Sequence, residues 1–139
     1  MKVILKDGRR YTLRFDRGEE LRGSLANFCN ENQMKAGYFS GFGAVSEVTL
    51  MHYDLDTKKY LEKTFTEKME IANLTGNVSW FEGKSYIHPH GIFSDTEMRA
   101  WAGHVKKMII AATCELFLIQ LDGEISREHS EEIGLNLMR

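Results

Sequence analysis

An α+β fold, a mainly antiparallel β-sheet with one principal helix packed on it, is what this sequence predicts. Three observations carry the prediction. Short stretches rich in β-branched and aromatic residues recur along the chain, several ending at a turn pair such as Asp7-Gly8, Glu82-Gly83 or Asp122-Gly123. Only one stretch places apolar residues at helical spacing: Leu21, Leu25, Phe28 and Cys29 stand at i, i+4, i+7 and i+8. No linker, repeat or low-complexity segment interrupts the chain, so residues 1–139 read as one domain.

Lys2 to Leu5 and Arg10 to Phe15 read as two strands joined by the Asp7-Gly8 hairpin turn. Asp16 is placed to cap the helix, with Glu19 three residues on as a capping box requires, and the helix should end near Asn32. A strand over Gly37 to Gly43 should bend at Ser40-Gly41-Phe42-Gly43. Strands over Val45 to Leu55, Tyr60 to Thr66, Glu70 to Trp80 and Ser85 to Ser94 follow. Asp95 to Arg99 reads as a loop, Ala100 to His104 as a short strand, and Lys107 to Leu121 as a long apolar one.

A chain of 139 residues can bury a real core. Apolar residues make up 42% and charged residues 27%, as in ordinary globular domains. The longest apolar run, Met108 to Ile119, is broken by Thr113 and Glu115 and falls short of the roughly 20 residues that cross a bilayer. Met1 to Leu5 is too short for a signal peptide, so no membrane partner and a cytoplasmic location are expected. A net charge of −2 and the absence of any basic run longer than two residues predict weak, unspecific DNA binding by this chain alone. Cys29 and Cys114 fall on different elements at core positions and read as buried thiols.

The chemistry concentrates at His88-Pro89-His90 and at Gly103-His104. On a strand, residues i and i+2 share a face, so His88 and His90 stand side by side. A neighbouring strand could bring His104 to them. Three neutral imidazoles with a fourth position open suit zinc, and would also accept Ni²⁺ or Co²⁺. The competing reading is a pair of strand histidines with satisfied hydrogen bonds and no metal. Pro89 lacks the N–H of a ladder, which points to an edge or irregular strand, and Gly103 allows a close backbone approach.

Glu115 interrupts an apolar run, so it is a candidate general base or an orienting partner for a metal-bound histidine. The alternative is a solvent-facing strand position. Asp95 is placed to accept hydrogen bonds from its own loop. His52 and His129 lie outside these motifs. The Gly41-x-Gly43 pair is no dinucleotide fingerprint, since no helix follows it. Trp80 and Trp101 are candidate subunit-interface anchors or core-edge residues.

Ser40-Gly41-Phe42-Gly43-Ala44-Val45-Ser46-Glu47-Val48-Thr49-Leu50, Glu70 through Val78, His88-Pro89-His90 with Ser94-Asp95, Gly103-His104 and Arg17-Gly18-Glu19 occur in one order. In these segments the chain resembles the plant- and prokaryote-conserved (PPC) domain family, in its stand-alone prokaryotic form. Ala102 stands where that family usually has a further glycine. The resemblance implies a compact fold similar to acetolactate decarboxylase, assembled as a homotrimer, and it aligns His88, His90 and His104 as a trio. It also implies a DNA-associated or regulatory binding module, though the basic minor-groove arm of plant members is not found in this sequence. The competing expectation is a zinc-dependent enzyme acting on a small oxygenated substrate, and either reading admits a small-molecule ligand at the histidines.

Overall fold

The computed structural model describes residues 1–139. Nine strands and one helix run in the order β1 (Lys2–Asp7), β2 (Arg10–Asp16), α1 (Leu21–Glu31), β3 (Gly37–Asp54), β4 (Lys59–Phe65), β5 (Met69–Phe81), β6 (Lys84–Ser94), β7 (Ala100–Gln120), β8 (Arg127–Ser130) and β9 (Leu135–Met138). Seven strands form one sheet in the order β1-β2-β7-β6-β5-β3-β4, and every pairing in it is antiparallel. An additional β3–β7 pairing closes β7, β6, β5 and β3 into a ring. β8 and β9 form a separate hairpin. The α+β class expected from the sequence is therefore the one observed.

Alternation builds the core. In β2, Tyr11, Leu13 and Phe15 point inward; in β6, Ile87, Pro89 and Phe93 do. Phe15, Phe39, Phe93, Leu74, Met108 and Leu116 are fully buried at the centre. α1 lays Leu21, Leu25 and Cys29 onto this core, and Phe28 meets the Tyr11 ring edge-on at 5.5 Å. Burial pushes both free thiols, Cys29 and Cys114, up to about 12, so they remain protonated core residues.

Three boundaries differ from expectation. The helix is capped by Glu20, whose carboxylate accepts from the Arg22 and Gly23 N–H groups at 3.0 and 2.6 Å. Glu19 does accept the Asp16 N–H at 2.7 Å, but the residues between are bonded to β7 through Gly18 N–H to Ile110 O and Ile110 N–H to Glu19 O. A backbone pinned to β7 by these bonds cannot start a helix. The segments on either side of Ser40–Gly43 are one strand, β3, with register shifts in place of a bend. Gly43 is needed there because a Cβ would overlap the Thr113 carbonyl oxygen on β7. The segments on either side of His104 likewise fuse into β7.

Candidate metal centre

Pleat alternation sets the site. With Ile87, Pro89 and Phe93 inward, Tyr86, His88 and His90 take the outer face of β6. The register pairs His90 directly with His104 on β7 and His88 with Asn77 on β5. β6 is an interior strand, flanked by β5 along its length and by β7 from His90 to Ser94. The edge expected from Pro89 exists only in its first half, since pairing to β7 stops at the residue after the proline. Gly103 lets β7 approach β3: a Cβ there would stand 3.0 Å from Met51 O.

The three imidazoles converge. Ring centroids are 5.1 Å apart for His88 and His90, 4.9 Å for His88 and His104, and 5.2 Å for His90 and His104. One ring nitrogen from each lies within 4.8 Å of the others. Burial lowers all three from their ordinary value of 6.5; His88 and His104 fall to about 4, with Arg127 and Arg22 adding electrostatic pressure in the same direction. The imidazoles are therefore neutral at pH 7, the form that ligates. The charged side chains acting on His88 and His104 are cationic, and no carboxylate hydrogen-bonds to the trio.

The surroundings come from elements the motif does not include. Tyr60 on β4 lies 5.9 Å from the His104 ring, and Tyr86 lies 6.5 Å from His88. Arg127 reaches in from β8 and stacks 4.7 Å over Tyr86. Together with Leu135 and Leu137 of β9, these side chains wall a pocket of about 270 Å³ that opens onto His88 and His104. Sequence reasoning missed Arg127, Tyr86, Tyr60 and Asn77. The available signal was the alternation of Leu135 and Leu137 after Gly134, which marks a returning strand behind the polar Ser126–Glu132 segment.

The other candidates fall elsewhere. Glu115 is exposed on β7, in register with Arg14 and Phe42, and makes no hydrogen bond to a histidine. His52 is exposed on β3. His129 contacts Asn136 Oδ1 at 3.2 Å on the hairpin. Trp101 packs on Phe65 and donates to Asp95, while Trp80 sits under Lys35 at 5.1 Å. Asp95 serves its own loop, accepting from Glu97 N, Arg99 N, Arg99 Nε and Trp101 Nε1.

A profile of the Plants and Prokaryotes Conserved (PCC) domain, also written PPC, matches residues 4–122. Among curated proteins, the bifunctional protein GlmU of Synechococcus sp. (strain JA-3-3Ab) is 30% identical over 127 residues, 89% of this chain and 19% of that protein. The chain thus spans less than a fifth of that relative's length. Among solved structures, a candidate DNA-binding protein from Bacteroides thetaiotaomicron is 34% identical with a TM-score of 0.94, over 97% of this chain and 94% of the other. A metal-containing protein from Archaeoglobus fulgidus is 32% identical with a TM-score of 0.88, over 100% and 99%. The α-acetolactate decarboxylase of Bacillus subtilis, at 14% identity, TM-score 0.58 and 88% against 57% coverage, shares the fold. No helix is long and apolar enough to cross a membrane.

Proposed function

The chain belongs to the Plants and Prokaryotes Conserved domain family, and from that premise we propose that it is a homotrimeric, DNA-associated or regulatory binding module whose His88, His90 and His104 hold a divalent metal. The observation that carries this reading is the convergence of three ring nitrogens within 4.8 Å on adjoining strands. The donor set fits zinc: three neutral nitrogen donors and no competing carboxylate. The Archaeoglobus fulgidus relative named as metal-containing supports it. Bound there, zinc would supply a Lewis acid for an oxygen-bearing ligand.

The chain's own residues do the rest. β6 and β7 fix the histidines on one face, burial keeps them unprotonated, and Tyr60 and Tyr86 narrow the approach. Tyr38, Phe42, Phe117 and Ile119 support the trimer: they stand exposed on paired stretches of β3 and β7, an apolar patch that symmetric partners would cover. Association with DNA is drawn from relatives with that description, and a net charge of −2 limits direct affinity.

The pocket beside the trio favours a second reading, a zinc-dependent enzyme acting on a small oxygenated substrate. Likeness to acetolactate decarboxylase at 14% identity concerns the fold alone, so the module ranks first. Elemental analysis of protein purified without an affinity tag tests the metal, with stoichiometric zinc expected and a metal-free preparation that also rejects added zinc overturning it. Light scattering at micromolar concentration should give a trimer mass; a monomer mass overturns the assembly.

A further inference from the structure

We propose that Arg127 is the anion-recognising residue of the three-histidine site and that the ligand it selects is a small organic carboxylate. This rests on the metal reading above and deepens it.

Arg127 is held from several sides. Nε donates to Ser79 Oγ at 2.7 Å, Nη1 to Asn136 O at 2.7 Å, and Nη2 to Asn77 Oδ1 at 2.9 Å, with His88 Nδ1 at 3.3 Å from Nη2. A guanidinium has five N–H donors and no acceptor, so the His88 contact uses the one in-plane lone pair of a neutral imidazole. A metal at His88 needs that same lone pair. A metal held by Nδ1 would take the place of Nη2, and one held by Nε2 would need the proton on Nδ1, facing the Nη2 hydrogen. Either way an Nη2 N–H would be freed, on a guanidinium whose Nη1 makes a single hydrogen bond, to Asn136 O. Two donors on neighbouring terminal nitrogens form the fork that matches a carboxylate.

Charge and shape point to the same ligand. A dication here would join Arg127 and Arg22 around neutral imidazoles. No carboxylate is among the charged groups acting on His88 and His104, so none offsets the site from within. An anion must come from outside. The pocket of about 270 Å³ has room for a small molecule, and Tyr60, Tyr86, Leu135 and Leu137 give it largely organic walls. Those walls favour an organic acid over an inorganic oxyanion. β8 and β9 lie beyond the residues matched by the family profile, and they supply Arg127, Leu135 and Leu137 to this half of the site.

The test uses the full chain loaded with Co²⁺, whose visible absorption reports its coordination, titrated with sodium acetate against sodium chloride at constant ionic strength. Acetate should shift the spectrum saturably. Arg127→Gln should weaken acetate roughly tenfold or more, and Arg127→Lys should fall between, with Co²⁺ still bound in both. Far-UV circular dichroism checks folding, and if the Gln variant does not fold the Lys variant decides. A Co²⁺ spectrum that ignores acetate, or responds equally in wild type and variants, overturns the role of Arg127 and leaves the metal reading standing. Inorganic phosphate binding more tightly than acetate overturns the carboxylate assignment. Failure to bind Co²⁺ at all overturns the metal reading and this inference with it.

Discussion

Two polar clusters sit at the junction of β6 and β7, and they use their hydrogen-bonding capacity in opposite ways. The Asp95 carboxylate, its side chain 2% exposed, accepts four hydrogen bonds from its own loop and from Trp101. Burial alone would raise it, but bonds from Arg99, Trp101 and Glu97 together hold it at about 2. Its lone pairs are committed to shaping the turn between the strands. Of the histidines a few residues away on both strands, His90 and His104 keep theirs, and only His88 makes a hydrogen bond within the chain, with Arg127. A saturated polar group in a sheet protein serves the fold, whereas a convergent set of open lone pairs is available to a ligand.

The largest expected effect separates the clusters outright. Changing His88, His90 and His104 together to Ala should reduce bound zinc from stoichiometric to background, while the melting temperature of metal-free protein stays close to wild type. Elemental analysis and calorimetry read both, and unchanged zinc content would sink the site. Asp95→Asn should do the reverse. It should lower the melting temperature by several degrees and cost the Glu97 and Arg99 amides their hydrogen-exchange protection, with zinc content intact. Zinc loss in that variant would mean the two clusters are one unit.

Acid should resolve them further. A group whose value is lowered on folding lends stability above its unfolded value and loses it as pH falls through the folded one. In chelated protein, His88 and His104 should therefore give a first decline in stability between 6.5 and about 4. Asp95 should give a second between 3.8 and about 2. Thermal melts across pH should show the first decline vanish in the histidine variant and the second in Asp95→Asn. A single shared decline would break the distinction. The smallest effect belongs to Glu115→Gln, an exposed position: stability within about 0.5 kcal/mol of wild type and unaltered zinc content. A loss of zinc affinity there would restore Glu115 as a partner of the site.

Much of this was legible in the residues. Period-two alternation placed the strands, helical spacing placed Leu21, Leu25 and Cys29 on one buried face, and His88 and His90 had to share a side because the strand period allows nothing else. These are local rules, and a sequence carries them whole. What it could not carry is register. His104 meets His90 only because β7 pairs with β6 at that residue, and β3 and β7 run unbroken through expected bends because each is held by partners far along the chain. Helix α1 starts late because Glu19 is bonded to β7. Arg127 reaches His88 because a tail hairpin packs back over β5. Local propensity fixes which face a side chain takes; long-range pairing decides which side chains meet there, and chemistry depends on the second.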